Sequence, residues 1–127
     1  MDRRLAALLS LALWACVTGC TALGGGPTIK IGYVNPITGA LSVNGEGYDW
    51  VIDQMYDYVR EHPILIHGRK AELEIIVYDS KSDPERCRQM AERLARDDKV
   101  NLLIAVQTPE TVIPVTAVAE EYHIPCV

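Results

Sequence analysis

The amino-acid sequence predicts an α/β fold, a doubly wound parallel sheet, in residues 28–127. Short apolar segments rich in β-branched residues alternate with segments whose apolar residues recur at helical spacing. Strands that alternate with helices pair in parallel through right-handed crossovers, so the alternation favours one sheet flanked by helices. The third strand segment, VNLLIAV, is apolar almost throughout, which is expected when both faces of a sheet are covered.

Four segments have the composition of strands. The first is residues 28–34 (TIKIGYV), which an Asn-Pro pair follows, and the second is residues 71–79 (AELEIIVYD). The third is residues 100–106, and IPCV at residues 124–127 begins a fourth. Together they supply the strands of one sheet.

Three helices are predicted between these strands. The first covers residues 47–60. In the second, Asp83 is the expected N-cap and Pro84 the first helical residue. Its apolar face has the regular spacing of a short helix and consists of Cys87, Met90, Ala91, Leu94 and Ala95. Thr108 and Pro109 repeat this start in the third helix, and Pro114 should bend that helix or loosen its start.

The N-terminal residues 1–19 have the pattern of a lipoprotein signal peptide. Arg3 and Arg4 precede an uncharged apolar segment of about a dozen residues, which is shorter than the roughly 20 needed to span a bilayer. VTGC at residues 17–20 resembles the bacterial lipobox. That resemblance implies lipidation of Cys20 and a flexible, lipid-attached spacer at residues 20–27, with an uncleaved anchor as the alternative.

Charge and cysteine content exclude several classes of partner. The chain carries a net charge of −5 and no basic stripe, which disfavours binding to nucleic acid. An exported location would permit a disulfide between Cys87 and Cys126, but two separate buried thiols are the preferred interpretation. No Cys/His cluster suggests a metal site, and no nucleotide fingerprint suggests a cofactor.

Ligands of open parallel sheets bind beyond the carboxyl ends of the strands. That edge should be formed by residues 35–47 (NPITGALSVNGEG) and by the turn at residues 107–111 (QTPET). An ordinary strand-to-helix connection is the alternative for the first loop. In the turn, free N–H groups at the helix start favour an anion, but Pro109 removes one donor and Glu110 adds a negative charge.

The sequence offers no catalytic set, and we predict that the protein is not an enzyme. The three histidines are expected to be solvated, because no nucleophile or carboxylate stands at a motif spacing from them. Asp79 closes the second strand and is interpreted as a turn residue rather than as a working carboxylate.

Three motifs in combination resemble the type I periplasmic substrate-binding proteins of ABC transporters, in particular the branched-chain amino-acid-binding-like group. They are P-x-T-G after the first strand, YD-x-x-x-DP before the second helix, and AEE-x-x-IP before the fourth strand. The resemblance implies a lipid-anchored protein of the cell envelope, facing the periplasm or exterior. It would capture a small solute such as an amino acid between two lobes and deliver it to an ABC permease.

The resemblance also carries over site residues. Ser42 and Asn44 lie in the loop that lines the cleft, and Asn44 stands where some members carry an aromatic residue. Gln107, Thr108 and Thr111 lie in the turn that holds the ligand's carboxylate in amino-acid binders. Pro109 stands where a serine is expected, so another small organic solute is an open alternative.

Length and topology suggest how much of such a protein is present. Members of the family have two lobes joined by hinge strands, so residues 28–127 are expected to be a partial N-terminal lobe. A sensory ligand-binding domain of a signalling system is the alternative function, although the lipobox argues against a cytoplasmic version of it.

Overall fold

The computed structural model describes residues 25–106 and 108–127. The predicted signal peptide, the lipidation site Cys20 and Gln107 lie outside the described residues. In chain order, the elements are β1 (Thr28–Asn35), α1 (Ser42–Gly45), α2 (Tyr48–Glu61), β2 (Leu65–Ile66), β3 (Arg69–Lys70), β4 (Glu72–Asp79), α3 (Pro84–Arg96), β5 (Leu102–Ala105) and α4 (Pro109–Glu121).

The main sheet is parallel, with the strand order β4-β1-β5. Its register pairs Thr28 with Glu72 at one end of β1 and Asn35 with Asp79 at the other. The predicted α/β class and parallel pairing are therefore confirmed. The segment predicted to begin a fourth strand pairs with β5 through a parallel bridge from Cys126 to Leu103, which extends the sheet beyond β5.

The core lies on the face of the sheet that α3 and α4 cover. Leu94 of α3 and Leu103 of β5 are fully buried there. The apolar face predicted for the second helix is confirmed, since four of its residues are buried: Cys87, Ala91, Leu94 and Ala95. Cys87 and Cys126 are both free thiols, one buried and the other partly exposed. Helix α4 continues through Pro114 as far as Glu121.

Within the part of the chain that the structure describes, α2 is the helix that covers the other face of the sheet, and it does so thinly. None of the 14 residues of α2 is buried, and Trp50 and Tyr58 are 66% and 63% exposed. The third strand was predicted to be covered on both faces, and this holds only in part. Leu103 faces the core and is buried, whereas Leu102 and Ile104 alternate with it and remain partly exposed.

Two short features were not predicted. A β2-β3 hairpin precedes β4, with its turn at His67 and Gly68, both of which have positive φ. The helix α1 is a single turn inside the loop after β1. Across residues 25–106 and 108–127, the structure has no helix that is long and apolar enough to cross a membrane.

Candidate functional site

The two loops predicted to form the site emerge from the same edge of the sheet. Strands β1 and β5 run parallel, with Val34 paired to Ala105, so both end at this edge. Ser42 and Asn44 follow β1, and Thr108 and Thr111 follow β5. Because the β2-β3 hairpin immediately precedes β4, Gly68 belongs to the opposite edge.

A buried asparagine holds one end of the loop after β1. The side chain of Asn35 is 0% exposed and accepts a hydrogen bond from the Tyr33 hydroxyl at 2.9 Å. Its amide donates to the carbonyl of Gly45 at 3.3 Å, which folds the loop back on its own start. A Cβ at Gly45 would overlap the Pro36 carbonyl, so the fold-back requires glycine there. Ser42 stays partly exposed and Asn44 exposed.

Asp79, the last residue of β4, holds the other end of this loop. The Asp79 carboxylate accepts hydrogen bonds from the backbone N–H of Thr38 at 3.1 Å and from its hydroxyl at 2.7 Å. Burial alone would raise the pKa of Asp79, but the hydrogen bonds from Thr38 and Lys81 outweigh it and hold the pKa below its ordinary value. Sequence reasoning placed Asp79 in a turn and missed its contacts with the candidate binding loop.

In the turn after β5, Thr111 supports the backbone. Its hydroxyl oxygen accepts from the Thr108 N–H at 3.2 Å and lies 3.1 Å from the Val106 carbonyl. Thr111 is buried, with only 4% of its surface exposed. A hydroxyl carries one proton, which Thr111 uses within the turn, whereas Thr108 is partly exposed.

A carboxylate already occupies the start of α4. Glu110 accepts a hydrogen bond from its own backbone N–H and another from the Thr108 hydroxyl, and both lower the pKa of its carboxyl below the ordinary value. The charge is therefore negative at neutral pH. An incoming carboxylate at this turn would meet a like charge where the helix N-terminus would otherwise attract it.

Asn44 also lines a cavity of about 260 Å³ between α2 and the sheet. The cavity walls are mainly apolar and include Ile75, Ile104 and Met55. Tyr33 and Tyr48 meet edge to face in its lining, with ring centroids 6.4 Å apart. The cavity therefore joins the candidate loop to the thinly covered face of the sheet. Among the residues that the structure describes, no cluster of His, Cys, Asp and Glu could hold a metal ion.

The described residues form a parallel α/β lobe with its candidate loops at the carboxyl edge of the sheet. Residues 28–127 match the periplasmic binding protein family, and the chain belongs to that family. The resemblance inferred from the three sequence motifs is confirmed at this level.

Solved structures support the same fold. The chain is similar to the substrate-binding protein of a branched-chain amino acid transporter from Streptococcus pneumoniae, solved with isoleucine, at 22% identity and a TM-score of 0.67 over 78% of this chain and 28% of that one. A possible leucine/isoleucine/valine-binding protein from Rhodopirellula baltica matches at 22% identity and a TM-score of 0.67, over 80% of this chain and 27% of that one.

A third structure is an ABC transporter solute-binding protein from Rhodopseudomonas palustris in complex with 3,4-dihydroxybenzoic acid. It matches at 25% identity and a TM-score of 0.64, over 78% of this chain and 26% of that one. The chain thus spans just over a quarter of the length of these proteins. No curated protein matches it.

Proposed function

We propose that this chain is part of an extracytoplasmic solute-binding protein of an ABC importer. Membership of the periplasmic binding protein family carries the proposal. The parallel pairing of β1 with β5 supports it, because it brings the two loops that would contact a solute to one edge. Ser42, Asn44 and Thr108 are the proposed solute contacts, and Thr111 supports the turn that carries Thr108.

The solute is a small organic molecule, either an amino acid or a related compound. Isoleucine and 3,4-dihydroxybenzoic acid, each bound by a similar structure, are the first two molecules to test. The charge on Glu110 favours a solute that presents a hydroxyl or an ammonium group to Thr108 rather than a carboxylate.

A lipid anchor at Cys20 would hold the protein at the membrane beside its permease. Two or more acyl chains give stable anchoring, at about 0.8 kcal/mol for each buried CH₂. We expect Cys20→Ala to abolish labelling by a clickable fatty acid and to leave the precursor unprocessed. Undiminished labelling of the Cys20→Ala protein would show that the acyl chain is elsewhere or absent.

Solute binding can be tested by NMR on ¹⁵N-labelled residues 20–127. Binding sites bury about 70 to 90% of a small ligand, and one lobe covers less, so we expect affinities only near the millimolar range, about −4 kcal/mol. Titration with L-isoleucine or 3,4-dihydroxybenzoate should move the amide signals of Ser42, Asn44 and Thr108. Shifts confined to the β2-β3 hairpin, or no shifts with any solute of a wider panel, would contradict the proposal.

Matched threonine variants separate a ligand contact from a helix cap. Thr108→Val should weaken binding by about 1 to 3 kcal/mol if its hydroxyl pairs with the solute. Thr116→Val is the control, because the Thr116 hydroxyl is exposed and lies within hydrogen-bonding distance of carbonyls in its own helix. Equal affinities in the two variants would assign Thr108 to the turn alone.

A further inference from the structure

The loop after β1 is held from outside by two side chains, Asp79 and Ser82, which we call the β4 latch. Asp79 closes β4, and its carboxylate receives both the N–H and the hydroxyl of Thr38. The same carboxylate accepts from the N–H of Lys81 at 2.8 Å. One side chain thus ties the start of the loop to the turn that follows β4.

Ser82 makes the second half of the latch. Its hydroxyl oxygen accepts from the Leu41 N–H at 2.9 Å and donates to the Thr38 carbonyl at 2.9 Å. Both its donor and its acceptor therefore serve the loop. Gly39 lies between these contacts with φ +95, and a Cβ there would overlap the Lys81 carbonyl, so the two backbones touch directly.

The turn that carries the latch has an unusual backbone. Lys81 and Ser82 both have left-handed φ, at 52° and 62°. Residues other than glycine hold this conformation only where their surroundings fix it. Here the surroundings include the bond from Lys81 to Asp79 and one from the Ser82 N–H to the Ser80 hydroxyl at 3.3 Å. The conformation directs Ser82 at the loop.

A short run of bonds connects the latch to the proposed solute contacts. The N–H of Ser42 donates to the Gly39 carbonyl at 3.2 Å, and the N–H of Asn44 donates to the Leu41 carbonyl at 2.9 Å. Gly39 and Leu41 are the residues that the latch holds. The position of Ser42 and Asn44 therefore depends on side chains roughly 40 residues further along the chain.

We propose that Asp79 and Ser82 are positioning residues, which fix residues 38–41 and thereby set where Ser42 and Asn44 stand at the carboxyl edge. This proposal rests on the proposed function, in which Ser42 and Asn44 contact the solute. A preformed loop binds a solute more tightly than a mobile one, because less conformational entropy is lost on binding.

Amide hydrogen exchange on residues 20–127 tests the latch without any ligand. In Asp79→Asn and Ser82→Ala, the amides of Thr38 and Leu41 should exchange at least about tenfold faster, while the amide of Val34 in β1 keeps its rate. Asp53→Asn, at an exposed position of α2, is the control. Unchanged exchange at both loop amides would overturn the proposal.

A milder pair of variants keeps the test decisive if Asp79→Asn fails to fold. Thr38 is exposed, so Thr38→Val removes only its hydroxyl bond to Asp79. Thr38→Ser retains that bond, so its loop amides should exchange at the wild-type rate. In Thr38→Val the loop amides should exchange faster. Equal exchange in the valine and serine variants would overturn the role of Asp79.

Affinity then tests whether positioning matters for the solute. With L-isoleucine or 3,4-dihydroxybenzoate as the probe, Ser82→Ala should weaken binding about tenfold and Asp53→Asn should leave it unchanged. Faster exchange with unchanged affinity would overturn the positioning role. A wild type that binds neither probe would count against the proposed function instead, and the exchange rates would still decide whether the latch fixes the loop.

Discussion

Leu94 lies in the core and meets β1 at Gly32, where that strand has no side chain. It is 0% exposed, and a Cβ at Gly32 would lie 2.9 Å from its Cδ1 atom. Leu94→Ala should therefore leave a cavity and cost about 2 to 5 kcal/mol of the free energy of unfolding. Urea denaturation measures this loss of free energy, and Leu65→Ala, at an exposed position, is the control. A loss as small as that of the control would mean that the core collapses around the gap.

Cys87 and Cys126 differ in exposure, and neither is paired. Burial raises the pKa of both thiols, but Cys87 is almost fully enclosed, whereas Cys126 is partly exposed. The thiolate is the reactive form, so in residues 21–127, which lack Cys20, Cys126 should react with a thiol reagent before Cys87 in the folded protein. A time course with Cys87→Ser and Cys126→Ser assigns each phase. If no thiol reacts until a reductant is added, the residues are disulfide-bonded.

Asp79 should make stability depend on pH in the acid range. Its pKa is lower in the folded protein than the ordinary value near 3.9, so the unfolded chain binds this proton more readily. The charged Asp79 contributes fully to the free energy of unfolding at a pH above the ordinary pKa. That contribution is lost as the pH falls through the pKa of the folded protein. The difference in unfolding free energy between wild type and Asp79→Asn should therefore shrink between about pH 7 and about pH 3. A difference that is constant over this range would contradict the charged hydrogen bond.

At the scale of elements, the start of α3 shows how one side chain sets a helix boundary. The Asp83 carboxylate accepts from the Arg86 N–H at 2.7 Å, and Pro84 follows at the first helical position. Asp83→Ala should cost about 1 kcal/mol of the free energy of unfolding, whereas Asp83→Asn should retain most of the cap. Chemical denaturation of both variants checks this. An equal loss in both would assign the effect to charge rather than to capping.

Elements with a clear period were predicted, and short or locally irregular ones were not. The apolar face of α3 repeats over 13 residues, so its buried side could be predicted. The strands of the β2-β3 hairpin have two residues each, too few to show a period. The turn joining them has His67 at positive φ, where the usual hairpin signal is Asn-Gly or Asp-Gly.

The candidate site divides in the same way. Its edge of the sheet could be predicted, because parallel strands end together whatever their side chains are. The β4 latch could not be predicted. The two bonds of Ser82 to the loop span 41 and 44 positions of the chain, and neither end belongs to a periodic pattern. Such contacts depend on tertiary structure.

At the scale of the whole molecule, the two faces of the sheet are unequally covered. One face packs against α3 and α4 around a buried core, and the other meets only α2. Trp50, Val51 and Tyr58 are exposed on α2 and line one surface pocket, and Val51 also lines the apolar cavity that reaches the sheet. Contiguous exposed apolar surface of this kind favours association, because covering it removes apolar area from water.

We therefore expect residues 20–127 to self-associate as their concentration rises, with Trp50 as a built-in reporter. It is the only tryptophan in that segment and is 66% exposed, so its emission should shift to shorter wavelength when α2 is covered. The double variant Trp50→Gln/Tyr58→Gln should stay monomeric in sedimentation while keeping its circular dichroism. Leu65→Gln, at an exposed site in the hairpin, controls for a general loss of apolar surface. The expectation would be wrong if the wild type sediments as a monomer and its Trp50 emission is unchanged at every concentration. That result would show that the exposed face of α2 is too polar to drive association, because Asp53, Asp57 and Glu61 lie along the same helix.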